Sequence, residues 1–93
     1  METTNKTLTM TDLENVFKRA IETEEHYIGV RIETRGSEKP EIIINPTENF
    51  EVKLEYYKKA YNNDLTLKSF NGIKITGFIY GYDFAEIQDW LNA

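Results

Sequence analysis

The stretch Ser69–Phe84, SFNGIKITGFIYGYDF, contains a turn signal, three glycines and five aromatic residues. Asn71-Gly72 between two β-rich runs is a strong hairpin signal, usually read as a two-residue turn. Such a turn would pair odd-numbered residues before it with even-numbered residues after it. Both faces of the hairpin would then mix apolar and polar side chains. The register of this hairpin therefore decides which side chains form the core.

A three-residue loop, Phe70-Asn71-Gly72, separates the two kinds of side chain. It pairs Ser69 with Ile73 and requires Gly72 to adopt a positive φ in a bulged turn. One face then carries the apolar residues Leu65, Leu67, Ile73, Ile75 and Ile79. The other face carries Thr66, Lys68, Lys74, Thr76, Phe78 and Tyr80. We therefore predict this loop, with Phe78 and Tyr80 outside the main core.

A second hairpin is predicted upstream. In YIGVRIETRG the apolar residues Ile28, Val30 and Ile32 alternate with small or polar ones, which is typical of a half-buried strand. The residues 36–40 have turn chemistry, and the following EIII is rich in β-branched residues. The two runs predict an antiparallel pair joined by a loop of about five residues.

Three helices are predicted around the hairpins. The first has an apolar stripe and begins after Thr11, which we prefer to Thr9 as the cap. The second begins with Asn45 as cap and Pro46 in the first turn. The third follows Asp83 as cap. The inward-facing residues are Leu13, Val16, Phe17, Ala20 and Ile21 in the first helix, Phe50, Leu54, Tyr57 and Tyr61 in the second, and Ile87, Trp90 and Leu91 in the third.

The predicted fold class is α+β. The order α-β-β-α-β-β-α forms one small domain over residues 9–93, with residues 1–8 as a flexible tail. We expect a four-stranded, mainly antiparallel sheet with the helices gathered on one face. The core is predicted to contain Phe17, Ile21, Ile28, Val30, Ile32, Leu54, Tyr57, Ile73, Ile75 and Trp90.

Composition narrows the class of protein. The 93 residues include 11 Lys and Arg against 16 Asp and Glu, a formal net charge of −5. An acidic chain repels phosphate, which disfavours duplex nucleic acid as a partner. The chain has no cysteine, so disulfides and thiolate metal sites are excluded. Because no signal-peptide pattern and no run of about 20 apolar residues is present, we expect a cytoplasmic protein without a membrane partner.

Residues that carry chemistry are sparse. His26 is the only histidine, and serines occur only at positions 37 and 69. A Ser-His-Asp triad with a glycine elbow and a two-histidine metal site therefore have no sequence support. The five glycines do not match the spacing of phosphate or dinucleotide loops. We predict no catalytic residues, no metal and no cofactor, and hence a protein that is not an enzyme.

Two sets of residues are candidates for binding a partner. The first is the aromatic end of the second hairpin, Phe70, Phe78 and Tyr80, with the neighbouring Lys68 and Lys74. These rings either face a partner or are covered by the helices of the same chain. The second set is acidic and could imitate a phosphate backbone: Glu48, Glu51 and Glu55 on the second helix, and Glu22, Glu24 and Glu25 near the end of the first.

The stretch NPTENFEVKLEYYKKAYNNDLTLKSFNGIKITGF, about a third of the chain, resembles segments of small proteins encoded by phages and prophages of Gram-positive bacteria. The resemblance lies in the helix that runs into YNNDL and in the NGIKI hairpin. It implies a mobile-element origin and a role in binding a host or phage protein. The expected function is a non-enzymatic interaction module, inhibitory or regulatory, or one that self-associates. The alternatives are an acidic mimic of nucleic acid that inhibits a nucleic-acid enzyme, and a binder of small ligands or single strands.

Overall fold

The structure, a computed structural model, describes residues 8–92. The elements are α1 (Met10–Glu22), β1 (Tyr27–Thr34), β2 (Glu41–Pro46), a 3₁₀ turn (Thr47–Asn49), α2 (Phe50–Ala60), β3 (Thr66–Leu67), β4 (Phe70–Gly81) and α3 (Phe84–Asn92). The predicted order of helices and strands is confirmed. Most of the predicted tail lies outside the described residues, but Leu8 is described and packs against the core.

The four strands form one open antiparallel sheet in the order β2-β1-β4-β3. The long strands β1 and β4 lie at its centre, and residues 35–40 connect β1 to β2. The α+β class predicted from the sequence is therefore confirmed. None of the helices between residues 8 and 92 is long and apolar enough to cross a membrane.

A β-bulge in β4 changes the face on which its side chains lie. Ile32 on β1 pairs with Ile75, whereas the preceding Arg31 pairs with Gly77, so Thr76 is an extra residue. An extra residue in one strand turns every later side chain to the opposite face. Arg31 holds the bulge, because its Nε donates to Thr76 Oγ1 at 3.0 Å and its Nη2 donates to the Thr76 carbonyl at 3.3 Å.

The bulge corrects the predicted position of two aromatic residues. Phe78 pairs with Val30 and Tyr80 pairs with Ile28, whose side chains are fully buried in the main core. Phe78 and Tyr80 are therefore half-buried against that core and do not lie on the opposite face. The face assigned to Ile75 is right, since this residue is fully buried.

The predicted loop of the second hairpin is wrong. The strands connect through Lys68 and Ser69, with Leu67 paired to Phe70, so Asn71 and Gly72 belong to β4. The Phe70 ring lies over Gly72, where an added Cβ would come within 2.5 Å of it. Among the described residues, positive φ occurs at Glu24, Gly36 and Leu65 and not at Gly72.

Two helix starts also differ from the prediction. Thr9 caps α1 instead of Thr11: Asp12 N donates to Thr9 Oγ1 at 3.4 Å, and Thr9 N donates to the Asp12 carboxylate at 2.9 Å. Asn45 and Pro46 end β2 and do not start α2. The Asn45 side chain is buried and donates to the Ile28 carbonyl at 3.2 Å, so it links β2 to β1 and does not cap a helix.

The main core lies between one face of the sheet and the helices α1 and α2. Phe17 contacts Phe50 and Tyr57 edge-on, with ring centroids 6.1 Å apart in each case. The fully or nearly buried apolar residues of this core are Met10, Leu13, Phe17, Ala20, Ile28, Val30, Ile32, Phe50, Tyr57, Tyr61, Leu65 and Ile75. Six of the ten predicted core residues are in this set, while Leu54 and Ile73 pack at its edge.

The third helix lies on the opposite face of the sheet, so the expectation that all helices share one face is wrong for α3. Ile87 and Leu91 are buried against Gly29, whose added Cβ would come within 2.4 Å of Ile87 and 2.7 Å of Leu91. Arg31, on the same face, donates to the Leu91 carbonyl at 3.0 Å. Trp90 points away from this contact and is 56% exposed, and Ile21 on α1 is 42% exposed, so both predicted core assignments are wrong.

Candidate functional site

The flank of α2 carries two large apolar side chains that the fold leaves in solvent. Val52 is 69% exposed and Tyr56 is 49% exposed. They lie four residues apart and therefore on the same side of the helix. A large apolar side chain in solvent is unremarkable when it is isolated, whereas a contiguous group marks a contact surface. The surroundings of these two residues decide between those cases.

Val52 and Tyr56 border a groove between α2 and the sheet, which we call the α2 groove. It encloses about 490 Å³. Its lining comes from five elements and from Tyr61, and it is mostly apolar: Ile32, Thr34, Glu41, Ile43, Val52, Lys53, Tyr56, Tyr57, Tyr61, Leu67 and Ile73. The exposed pair therefore continues into an apolar concavity, which is typical of a binding surface.

Three tyrosines give the α2 groove an aromatic wall. The ring of Tyr57 lies 5.4 Å from that of Tyr56 and 5.9 Å from that of Tyr61, centroid to centroid. The Lys53 ammonium lies 5.3 Å from the Tyr56 centroid and 5.4 Å from the Tyr57 centroid. Contacts between a cation and aromatic rings restrict the lysine and keep it at the rim. Rigid tyrosines with a few charged groups are frequent among residues that dominate binding energy.

Tyr57 connects the groove to the core. Its side chain is fully buried, and its hydroxyl has no hydrogen-bond partner among the described residues. Burial raises the pKa of Tyr57 to about 12, while the nearby Asn45 side chain slightly opposes this shift. The pKa of Tyr61 is raised for the same reason. Both tyrosines are therefore neutral at physiological pH.

An acidic depression adjoins the groove at Val52. It encloses about 660 Å³ between the end of α1 and the start of α2, and Ile21, Glu24, Glu48 and Glu51 contribute to its lining. Thr47 fixes the two segments together, because its hydroxyl lies 2.9 Å from the Glu25 carbonyl and 3.1 Å from the His26 carbonyl. Carboxylates from the segment after α1, from the 3₁₀ turn and from α2 thus line one partly apolar depression.

The structure gathers only part of the predicted acidic set. Glu24, Glu48 and Glu51 line the same depression. Glu55 lies outside that depression, in a shallow pocket that it shares with Glu51 and with Leu54, Lys58 and Lys59. Glu22 is exposed on the last turn of α1, and Glu25, which is half-buried, follows that helix. The acidic surface is consequently a local cluster at the α1–α2 junction.

Basic residues interrupt the acidic rows between the two helices. Lys58 Nζ lies 2.8 Å from the Glu14 carboxylate, an ion pair that joins α2 to α1. The hydrogen bond from Lys58 lowers the pKa of Glu14 below its ordinary value. This pairing removes Glu14 and Lys58 from the charges that a partner would meet.

The predicted aromatic-basic face is not assembled. Phe78 and Tyr80 lie on the α1 side of the sheet, whereas Lys74 pairs with Glu33 on the side of α3, because the bulge separates them. Lys68 occupies the β3–β4 turn. Phe70 is 48% exposed at the start of β4 and lies over Gly72. These five candidates therefore do not form one surface, although Phe70 and Lys68 remain accessible individually.

Residues able to perform chemistry are dispersed. His26 follows α1 and its ring lies 4.5 Å from that of Tyr82. Ser37 lies in the β1–β2 connection and Ser69 lies in the β3–β4 turn. Within residues 8–92, no group of three or more His, Cys, Asp or Glu side chains is arranged to hold a metal ion.

Comparison with known proteins found no matching family model, curated protein or solved structure.

Sequence reasoning did not identify Val52 and Tyr56. The signal was present, because the buried stripe of α2 contains Phe50 and Tyr57, and an apolar pair at spacing four lies beside it. A second apolar stripe on a helix whose first stripe already fills the core indicates a further contact surface.

Proposed function

We propose that this protein is a non-enzymatic interaction module that binds a partner protein through the α2 groove. The observation that carries the proposal is the pair of exposed side chains, Val52 and Tyr56, at the edge of an apolar groove walled by tyrosines. Removing one large apolar side chain from water contributes roughly 1.5–3 kcal/mol. Two such side chains together contribute roughly 3–6 kcal/mol, and the concave apolar floor adds further contact area for a protein segment.

The adjoining charges suggest the chemistry of the partner. The groove itself carries one lysine and one glutamate, Lys53 and Glu41, so its own charge is balanced. The depression next to Val52 adds Glu24, Glu48 and Glu51. Charges at the rim of an interface mainly accelerate and orient association, whereas the apolar centre provides most of the affinity. The fitting partner is a segment with apolar anchors followed by basic residues.

The test is capture of host proteins on the immobilised chain, with variants that separate the two contributions. Val52→Ser with Tyr56→Ser removes the apolar pair from an exposed helix flank. Lys58→Ser, on the side of α2 that faces α1, is the matched control. Glu48→Gln with Glu51→Gln removes charge and keeps size.

The expected result is a partner that remains bound in about 1 M salt, where exposed charges are screened, and is lost from the Val52/Tyr56 double variant. The charge variant should slow association and leave dissociation nearly unchanged when binding of the purified partner is followed by surface plasmon resonance. A partner captured equally well by the Val52/Tyr56 variant and the wild type would refute the groove as the binding surface.

A second candidate function is inhibition of a nucleic-acid enzyme through phosphate mimicry, supported by the carboxylates that Glu24, Glu48 and Glu51 contribute to one depression. This alternative predicts the opposite pattern in the same experiment. Capture would be lost in high salt and in the Glu48/Glu51 variant, and it would persist in the Val52/Tyr56 variant. The resemblance to phage-encoded proteins is compatible with both candidates, because both act on a protein of the host.

A further inference from the structure

The outer edge of β4 is the least protected part of the sheet. Between residues 8 and 92, β3 pairs with β4 only at Phe70 and Lys74. The last hydrogen bond on this side of β4 is the one from Ile75 N to the Leu65 carbonyl, which is 3.0 Å long. From Thr76 to Gly81, β4 pairs with β1 on one side, and no strand of the described residues pairs with its other side. An unpaired strand edge presents free N–H and C=O groups to any extended chain.

The register identifies the backbone groups that point outward. Ile75, the partner of Ile32, directs its N–H away from β1 toward Leu65. Along an antiparallel strand, residues alternate between bonding one neighbouring strand and the other. Val30 and Ile28 follow Ile32 at a period of two, so their partners Phe78 and Tyr80 also direct their N–H and C=O groups outward. These two residues offer two donors and two acceptors along the edge.

The features that usually block an edge are missing from this segment. Residues 75–82, ITGFIYGY, form the longest stretch of the chain without a charged residue, and they contain no proline. The opposite edge of the sheet is different: β2 ends at Pro46 and is preceded by Pro40. Proteins usually guard an exposed edge with charge, proline or a bulge that turns it away. In β4 the bulge precedes the open segment, and the segment itself is unguarded.

We propose that the β4 edge pairs antiparallel with the β4 edge of a second copy of this chain, which would join the two sheets into one of eight strands. A second copy is favoured because the edge is complementary to itself: turned by 180°, the outward groups of Phe78 and Tyr80 match those of another copy. The uncharged residues 75–82 bring no like charges together at this edge, although each chain carries a net charge of −5. The pairing is isologous, as expected for a twofold dimer.

One register uses all the outward groups. Phe78 of one copy faces Tyr80 of the other, and the twofold axis passes beside Ile79. The groove between α1 and the strand, which Asn15, Val16, Arg19 and Tyr80 line, leaves about 340 Å³ open on one side of this edge.

The proposal is tested by placing a charge on the twofold axis. Ile79→Lys would bring two lysines directly opposite each other, since Ile79 pairs with its own copy. The matched control is Ile42→Lys on β2, another half-buried isoleucine on the α3 side of the same sheet. Circular dichroism establishes that both variants fold, and sedimentation velocity over a range of concentrations measures the dimer.

The expected result is a concentration-dependent dimer for the wild type and for Ile42→Lys, with association at least about tenfold weaker in Ile79→Lys. Hydrogen exchange followed by NMR should show the Phe78 and Tyr80 amides becoming protected as the dimer forms. A wild type that stays monomeric, with both amides exchanging rapidly, would overturn the proposal. A dimer that survives Ile79→Lys unchanged would also overturn it. Should Ile79→Lys not fold, the wild-type exchange experiment alone decides.

Discussion

Adding one methyl group at Gly29 should displace α3 from the sheet. A Cβ built on Gly29 would lie 2.4 Å from Ile87 Cγ2 and 2.7 Å from Leu91 Cδ1, and both distances are far below a carbon–carbon contact. Leu91 Cδ1 is at the tip of its side chain and can rotate away. Ile87 Cγ2 is attached directly to Cβ, so relieving that contact requires the helix to move. Gly29→Ala therefore loosens the packing of α3 against β1.

The magnitude follows from two opposing contributions. Replacing glycine by alanine in a strand stabilises a protein by roughly 0.5–1 kcal/mol when the site has room. Overpacking a well-filled core costs about 1–3 kcal/mol. The second contribution prevails at Gly29, so we expect a net loss of about 1–2 kcal/mol. For a domain of this size, each kcal/mol corresponds to about 4–8 °C in melting temperature.

Gly81 provides a matched control on the same sheet face. A Cβ at Gly81 would lie 3.5 Å from Ile87, an ordinary van der Waals contact with the same side chain. Gly81→Ala should therefore be neutral or slightly stabilising. Urea denaturation followed by circular dichroism, with Trp90 fluorescence as a second probe located on α3, measures both variants. Equal stability of the two would refute the placement of α3 over Gly29.

Three further predictions test the elements that the sequence left open. Because Thr9 is the cap of α1, Thr9→Ala should lower the free energy of unfolding by about 1 kcal/mol in thermal denaturation, and Thr11→Ala should lower it by less than about 0.5 kcal/mol. The reverse order would indicate that Thr11 is the cap. Deleting Thr76 should keep a native-like NMR spectrum, because Ile75, Gly77 and Phe78 then pair with β1 in regular alternation. An alanine inserted after Gly77 should abolish that spectrum by turning Phe78 to the other face. Burial raises the pKa of Tyr57 from 10.0 to about 12. The stability that the neutral Tyr57 side chain contributes to the fold is therefore complete below pH 10 and is lost as the pH rises toward 12. Between pH 10 and 12 the free energy of unfolding of the wild type, measured in guanidinium titrations, should fall by about 2–3 kcal/mol, and that of Tyr57→Phe should fall distinctly less. Equal losses in the two proteins would contradict this role of Tyr57.

Periodicity accounts for the parts of the fold that were predicted correctly. Ile28, Val30 and Ile32 repeat at two, and Phe17 and Tyr57 belong to stripes that repeat at three and four; all of these residues are buried. These patterns reflect the burial of one face of an element, which local sequence encodes. The same reasoning identified the four strands, the three helices and Asp83 as the cap of α3, where its carboxylate accepts from Ala85 N at 2.9 Å.

The bulge at Thr76 could not be deduced from periodicity. A single inserted residue shifts the alternation of buried and exposed side chains by one position. In ITGFIY apolar residues occur at both odd and even positions, so the sequence does not show where the shift occurs. Gly77 was the available signal, because a glycine inside a strand often marks a bulge. The partner of the bulge is Arg31, which is distant in sequence, so only the tertiary structure reveals that its guanidinium holds Thr76 in place.

The candidate site was missed for a related reason. Helical periodicity separates a buried face from an exposed face, but it does not reveal which exposed residues border a concavity. Val52 borders a concavity only because Ile43 of β2 and Ile73 of β4 provide its floor. Trp90 is the opposite case, a residue that was predicted to be buried and is exposed. Its spacing from Ile87 suggested burial, but α3 packs on the sheet through Ile87 and Leu91, and Trp90 is 56% exposed.

The two proposed surfaces use different physical interactions and can be separated by experiment. Binding at the α2 groove depends on apolar side chains, whereas pairing at the β4 edge depends mainly on backbone hydrogen bonds. A dimer through β4 would carry two grooves, and a surface coated with partner would retain it longer than a monomer because the second contact forms at high effective concentration. Ile79→Lys should therefore dissociate faster from such a surface, while calorimetry in solution should give the same affinity per groove as the wild type. If that affinity also falls for Ile79→Lys, the groove and the edge are not independent surfaces.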